Sequence, residues 1–421
     1  MRVYLERVGC KLNQSEIEAL GRGFVQAGHQ VVQASEEADL CVVNTCTVTQ
    51  AADSKSRKLI RQLRRANPTA QLIVTGCYAE MCPQEIEAIG GVDLVVGNED
   101  KERLVELVGG LERGEGTPLA LPGLSLRTPL GHTRAFVKIQ DGCNNRCAYC
   151  IVSLARGRER SRPRQDILAE IEALVAAGCK EVVLTGVHVG RYGRDLGTGL
   201  GQLVEDILSE TTVPRLRLSS IEPWDLEPSL LRLWENSRLC RHLHLPLQSG
   251  CDATLQRMGR RYTTSQYASL VVAACRSIPD LAITTDVIVG FPGETAEEFA
   301  MSLSFVEEME FARTHIFKYS ARPGTAAAEM PHQVPYAEKK KRSEAMLELA
   351  RESSQGFCRR FLGQRMEVLW ETPCRDDKKA WSGLTDNYIR VMTRSEFDLA
   401  NTITSANLVE LIKGGMYGEV S

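Results

Sequence analysis

The 421-residue chain contains no run approaching the ~20 consecutive apolar residues of a membrane-spanning helix, no long internal repeat and no low-complexity tract. Its first residues, MRVYLERVGCKLNQ, include no secretory apolar region and read directly as a strand. A cytoplasmic protein without membrane association is therefore expected. Neither sign of charge dominates: the net charge is −3, so no global signature of nucleic-acid binding exists and any RNA contact must come from local basic patches. The hydrophobic fraction of 43% and charged fraction of 25% are ordinary for a globular protein. At roughly 100–200 residues per domain, the length suggests two or three domains. What the chain does have is cysteine. Fourteen cysteines without a secretory signal point to metal ligation over disulfides.

Three of them, Cys143, Cys147 and Cys150, stand within DGCNNRCAYCIVSLARG, with no fourth cysteine nearby. Three thiolates so closely spaced can fold around one soft metal centre. A closed structural zinc site wants four protein ligands, and a ferredoxin-type cluster normally has four cysteines. Three cysteines on a [4Fe–4S] cube leave one iron open to another molecule. A partial zinc knuckle, or three packed cysteines, is the plainer alternative.

Residues 1–110 alternate short apolar runs (RVYLERV, HQVVQA, DLCVVN, QLIVTG, DLVVGN) with helical stretches such as 15–27 and 52–65, the pattern of a parallel α/β sheet. Cys10, Cys46 and Cys77 each fall just beyond the end of a predicted strand. Ligands of open α/β sheets gather outside the carboxyl ends of the strands. These cysteines are thus placed to converge as a second three-cysteine site, although buried cysteines near strand ends are also common. Residues 111–133, with several Gly, Pro and Thr, read as a linker.

From 134 to 336 a second series runs AFVKIQ, EVVLTGV, RLRLSS, HLHLPLQ, ITTDVIVG and THIFKYS, with helices between. Six strand–helix units predict an incomplete (β/α)6 barrel whose active site lies on the loops after the strands. The three-cysteine loop follows the first strand of this series. Residues 337–361 read as a charged connecting helix, and 362–421 as a small antiparallel β-barrel with DN and GG turn signals. The remaining cysteines (Cys41, Cys82, Cys179, Cys240, Cys251, Cys275, Cys358 and Cys374) are expected to pack as small apolar residues.

Basic patches occur at Arg57–Arg65 on a predicted helix, at Arg156, Arg158, Arg160, Arg162 and Arg164 after the cysteine loop, and at Lys339–Arg342, where a solvated helix face is the simpler reading. The second lies beside the chemistry, and arginine suits phosphate through its planar fork.

The segments VGCKLNQSE, NTCTVTQAADSKSR, TGCYAE, DGCNNRCAYCIV, HLHLPLQSGCDATLQRMGRRYT, DVIVGFPGET and YSARPGTAA occur in the order seen in the radical S-adenosylmethionine (SAM) methylthiotransferases, and the resemblance covers essentially the whole chain. It implies that Cys143, Cys147 and Cys150 hold the [4Fe–4S] cluster that chelates and reductively splits SAM. It also implies that Cys10, Cys46 and Cys77 hold a second [4Fe–4S] cluster carrying the sulfur to be inserted, and that the C-terminal barrel is an RNA-binding TRAM domain. No catalytic group beyond the two clusters is implied. Three branches differ in substrate: isopentenyl-adenosine in tRNA, N6-threonylcarbamoyladenosine in tRNA, and an aspartate of a ribosomal protein. GCKLNQ followed by NTCTVTQAADSKSR looks most like the threonylcarbamoyladenosine branch; the isopentenyl branch tends towards GCQMN and the ribosomal-protein branch towards GCPKN.

The expected partners are then a tRNA anticodon stem-loop, a low-potential electron donor and a sulfur source. A zinc-dependent RNA-binding module without catalysis stands as the reading from another class. For SAM, the strand ends offer Gly186, Ser220, Glu222, Gln248 and Asp286, and Tyr149 fits the cysteine pattern; each can instead be a turn former or a satisfied polar group. GFPGE lacks the lysine of a phosphate loop and reads as a turn. Arg158, Arg160 and Arg162 are the candidates for phosphate contact, with Trp381 or Tyr388 for RNA contact in the tail. RNA is expected to reach the site between the barrel mouth and the C-terminal domain.

Overall fold

The computed structural model describes residues 1–111, 133–374 and 377–420; most of the expected linker lies outside them. Strands β1 (Arg2–Arg7), β2 (Gln30–Val32), β3 (Leu40–Thr45), β4 (Gln71–Gly76) and β5 (Leu94–Val96) form one parallel sheet in the order β2-β1-β3-β4-β5. Helices cover both faces, so LCVVNT of β3 is buried along its whole length. Alternate residues feed two cores: Cys41 and Val43 pack on the face of the helix Gln50–Ala66, Leu40 and Val42 on that of the helix Lys11–Gln26.

Six further parallel strands form the predicted partial barrel: β6 (Arg134–Lys138), β9 (Glu181–Thr185), β10 (Arg215–Leu218), β11 (His242–His244), β12 (Ala282–Val289) and β13 (Arg313–Lys318). Two isolated parallel bridges, Leu216 to Leu239 and Ser220 to His244, join β10 to β11, and β6 and β13 remain as edges. A small antiparallel pair, β7 (Gln140–Asp141) and β8 (Arg160–Ser161), closes the base of the cysteine loop. Along β12, Ile283, Val287 and Val289 join the core beneath the helices. Thr284 and Asp286 therefore face the lumen, by the period of two. Reciprocal capping boxes at Thr263/Gln266 and Thr295/Glu298 start two of the outer helices.

The helix Tyr336–Arg359 leads to a closed barrel of β14 (Arg365–Cys374), β15 (Asp377–Thr385), β16 (Arg390–Arg394), β17 (Ile403–Ile412) and β18 (Gly415–Val420). One expectation is corrected here. The barrel is not purely antiparallel, because β16 and β18 pair in parallel; a closed ring of five strands cannot alternate direction at every junction.

Its position corrects a second expectation. Arg215 donates to the carbonyls of Leu384 and Glu367 at 3.1 and 3.0 Å, Arg217 to that of Asp386 at 2.9 Å, and Arg241 pairs with Asp386 at 2.6 Å. Arg215 opens β10 and Arg241 immediately precedes β11, so the C-terminal barrel docks at the amino ends of these strands and forms a floor opposite the mouth. Among the described residues no helix is long and apolar enough to cross a membrane. Cys275 departs from the packing expectation, being exposed on the outer face of its helix; the side chain of Cys374 lies outside the described residues.

Candidate functional site

The first cysteine group stands at the carboxyl ends of three adjacent strands. Cys10 follows β1 and precedes the helix Lys11–Gln26; Cys46 follows β3 directly; Cys77 follows β4 and opens the helix Cys77–Met81. Gly9 makes the approach possible. Its φ is +114°, and a Cβ there would lie 2.5 Å from Cys46 Cβ and 2.8 Å from its Sγ. Asn13 fixes the first loop by donating to the carbonyls of Val8 and Thr45 at 2.8 and 3.0 Å. Burial pushes the Cys46 thiol up to about 12, and Cys10 and Cys77 add to the shift. Burial likewise raises Cys77. Two enclosed thiols, Cys46 and Cys77, beside the exposed Cys10 suit a metal centre, whose positive charge makes thiolates the favoured form.

The second group lies on the loop after β7. Gly142, at φ +70°, leaves no room for a Cβ, which would meet the carbonyl oxygen of Arg158 at 1.9 Å. Cys143 N–H donates to Gly157 O at 3.0 Å and Ala148 N–H to Met258 O at 2.9 Å, fixing the loop at both ends. Burial pushes Cys150 up to about 12, and Cys147 and Cys143 reinforce it; burial also raises Cys147. This donor set too fits a cluster.

The two groups share one space. Arg156, buried on the short helix Val152–Arg156 that follows Cys150, sends its Nε to within 3.2 Å of Cys77 Sγ. It donates to Glu16 at 2.7 Å, Asn13 at 2.8 Å and Asp141 at 3.1 Å. Asp141 lies two residues before Cys143, so a single arginine spans from one cysteine group to the other's loop. Burial alone would raise the Glu16 carboxyl, but Lys101, Arg156 and Lys138 hold it well below the usual range. Arg322 pairs with Asp53 at 2.7 Å and fastens the same two units further round.

Sequence reasoning placed Arg156 in a basic patch and passed over three other groups. His188 Nδ1 lies 3.8 Å from Cys143 Sγ, and its Nε2 lies 2.5 Å from Asp225, itself bonded by Arg194. Burial lowers this imidazole's pKa, but Asp225 and Cys143 outweigh burial and hold it at about 9. Arg260 Nη1 lies 3.7 Å from Cys147 Sγ and also pairs with Glu222. TGVH and RRYT were the available signals. Neither showed which residue would meet sulfur, since Asp225 is 37 residues from His188.

The other expected residues fall as follows. Tyr149 packs edge-on to Phe291, at 6.4 Å between centroids. Gly186 gives close approach to Gln140, whose carbonyl a Cβ would meet at 2.9 Å. Ser220 bridges to His244. Gln248 has φ +67°, a strained backbone for a residue with a side chain, held where its N–H donates to Asp286 O at 2.8 Å. Asp286 faces the lumen, 3.3 Å from His244. Arg158 and Arg160 are exposed and make no ion pair among the described residues. Arg162 is instead tied to Glu170 at 2.7 Å and to Lys138 O at 2.7 Å. The two tail aromatics are corrected. Trp381 is buried in the C-terminal barrel's core. Tyr388 stacks on His242 at 4.3 Å, between barrel and floor. Both rings are committed to packing rather than to RNA.

The His188–Asp225 pair gives a pH prediction for cluster-free protein. Its folded pKa is raised from 6.5 to about 9. The pair's stabilisation is therefore fully present below 6.5 and is lost as pH rises through about 9. Urea midpoints across that window should fall for the parent chain. They should fall less for Asp225→Asn, and equal slopes would refute the pairing.

Residues 2–97 match the family described as "Uncharacterized protein family UPF0004", and residues 137–306 match the radical SAM superfamily. The chain is 37% identical to the threonylcarbamoyladenosine tRNA methylthiotransferase MtaB of Bacillus subtilis (strain 168), with 98% of this chain and 94% of that protein covered. It is 39% identical to the protein of the same name from Thermotoga maritima, over 92% and 90%. It is 34% identical to the tRNA-2-methylthio-N(6)-dimethylallyladenosine synthase of Desulfitobacterium hafniense (strain Y51), over 98% and 95%. Among solved structures, the radical S-adenosylmethionine methyltransferase TsrM of Kitasatospora setae matches with a TM-score of 0.57 at 17% identity, covering 78% of this chain and 77% of that one. That likeness concerns the fold.

Proposed function

Because this chain belongs to the radical-SAM tRNA methylthiotransferases, we propose that it inserts a methylthio group at C2 of N6-threonylcarbamoyladenosine at position 37, next to the anticodon. The observation that carries the reading is the convergence of two cysteine groups on one space, bridged by Arg156. Cys143, Cys147 and Cys150 would hold one [4Fe–4S] cluster, and Cys10, Cys46 and Cys77 a second. When bound, these groups with SAM supply the radical and sulfur chemistry that an unactivated aromatic C–H demands.

The chain's own residues do the positioning. Arg156 and Arg260 set fixed positive charge beside Cys77 and Cys147, and the Asp225-held His188 does the same beside Cys143. The two arginine charges favour thiolate over thiol at Cys77 and Cys147. Glu222 is kept in place by Arg260 and, with Gln248 and Ser220, offers polar atoms at the strand ends for SAM. The N-terminal unit is fastened to the partial barrel beside the two cysteine groups by Arg156 with Glu16 and Arg322 with Asp53. The target base must leave its stack to arrive there, at a cost that a largely single-stranded loop lowers. An electron donor of low potential and a source of sulfur complete the requirements.

Arg158 and Arg160 are free to meet phosphate. For tRNA binding, the slope of log affinity against log salt should fall by about 0.7–0.9 for each phosphate contact removed, so Arg158→Ala/Arg160→Ala should flatten it by about 1.4–1.8. An unchanged slope removes them from the interface.

The activity is tested by mass spectrometry of tRNA nucleosides from a strain lacking the protein. Loss of the 2-methylthio derivative of N6-threonylcarbamoyladenosine, with its precursor accumulating, is the expected result. Loss of the methylthio-isopentenyl nucleoside instead would overturn the substrate, and no change in either would overturn tRNA as the target.

A further inference from the structure

Phe317 is an aromatic side chain left open at the barrel mouth, and none of the roles above uses it. It stands next to last on the edge strand β13, and so at the carboxyl end. The parallel register pairs it with Ile288, as it pairs His315 with Asp286. Residues paired across two strands share one face of the sheet. Asp286 faces the lumen, and the rings of His315 and His244 lie 5.9 Å apart across that face. Phe317 therefore faces the lumen too, one step nearer the mouth, while Ile316 between them packs against the core beneath the helices. Phe317 is 44% exposed and meets no other ring and no cation among the described residues.

A single exposed apolar side chain is ordinary on a protein surface. What distinguishes this one is its place, because both cysteine groups reach the same end of the strand. Its partner Ile288 packs, with Tyr149, on Ala148, Met258 and Phe291, and Tyr149 lies between Cys147 and Cys150. Just beyond Phe317, Ser320 accepts from Gln50 N–H at 3.2 Å, and Arg322 donates to Thr47, the residue after Cys46, at 2.6 Å. One open phenyl face thus stands where the loop of Cys143–Cys150 and the loop of Cys46 come together. Arg313, on the same lumen face of β13, is exposed and makes no ion pair among the described residues. The open edge therefore joins an aromatic surface to unpaired positive charge, the combination that suits a single-stranded nucleic acid.

Resting on the substrate reading above, we infer that Phe317 is the stacking platform for the extruded adenine whose C2 is modified. A base that leaves its stack loses the contacts on its faces. An aromatic side chain restores one of them, and does so for any base, since every base offers a π-face. Stacking also suits the reaction. It fixes the plane of the ring while leaving the whole edge free, and the C2–H bond lies on that edge. A polar side chain in this position would compete for the edge atoms instead.

The test is equilibrium binding to the anaerobic holoenzyme of anticodon stem-loops carrying N6-threonylcarbamoyladenosine or an abasic site at position 37. Phe317→Ala should weaken binding of the base-bearing loop by about 5- to 150-fold, the range of one base–aromatic stack. It should leave the abasic loop little changed. Phe317→Trp should keep the parent's preference for the base. Phe317→Leu, which retains apolar bulk without an aromatic face, should lose that preference, and supplies the comparison if the alanine variant folds poorly. SAM cleavage to 5′-deoxyadenosine without RNA should match the parent in every variant. Equal losses on both loops, or none on either, would overturn the platform while leaving the activity standing. Slower SAM cleavage with unchanged RNA binding would overturn it in favour of a contact with the electron donor. A parent enzyme that binds neither loop more tightly than an unrelated hairpin would overturn the tRNA reading and the platform together.

Discussion

Replacing Cys46 by alanine should divide the reaction in two: SAM cleavage to 5′-deoxyadenosine persists while methylthio transfer is lost. Iron in anaerobically purified protein should fall to about half, since one of two four-iron centres loses a ligand. The division is expected because the two cysteine groups belong to separate frameworks. Cys46 is held by the N-terminal sheet and faces Gly9, whereas the loop of Cys143, Cys147 and Cys150 hangs from β6 and the β7–β8 pair. Alanine removes only the sulfur from a position whose Cβ already fits, at a packing cost of about 1 kcal/mol, so the fold should survive. Cys147→Ala is the complement and should abolish both products. Unchanged iron in Cys46→Ala would remove this cysteine as a ligand. Joint loss of SAM cleavage would show that the two centres are not independent.

Replacing Arg156 by methionine should have a large effect on stability. Its guanidinium is buried and shared between Glu16, Asn13, Asp141 and Cys77. Breaking a buried pair strands its partner, which typically costs about 3–5 kcal/mol. Denaturant midpoints should show that loss, and added salt should change it little, because the pair is sheltered from solvent. Acid should expose it further. Glu16 is depressed in the folded state, so its contribution is present above its unfolded pKa and disappears as pH falls towards the folded value. Without Arg156 the folded pKa rises towards the ordinary one, so acid unfolding should begin at higher pH. A double cycle with Glu16→Gln should give a coupling of about 0.5–3 kcal/mol; additivity would mean that the two do not act as a pair.

The sequence by itself determined much of this protein. The alternation of apolar runs and helical stretches gave a parallel α/β unit and a six-stranded partial barrel, because periods of two and 3.6 are local properties of the chain. The placing of Cys10, Cys46 and Cys77 was equally legible: a residue just past a strand stays at that strand's carboxyl end wherever the strand goes. The Cys143–Cys150 spacing is a single loop and needed nothing distant.

Tertiary structure decided what depends on docking. Arg156 and Arg158 stand two residues apart in one arginine-rich stretch, yet one is buried between two units and the other exposed. An arginine side chain reads alike in both settings until its partners, Glu16 and Asp141, are brought to it. Trp381 and Tyr388 looked free to meet RNA, but the C-terminal barrel's core and its seat on the floor claim their rings. His188 and Asp225 meet across 37 residues. Local sequence fixes the direction and period of each element. The free energy of burying charge is settled only where separate elements close around it.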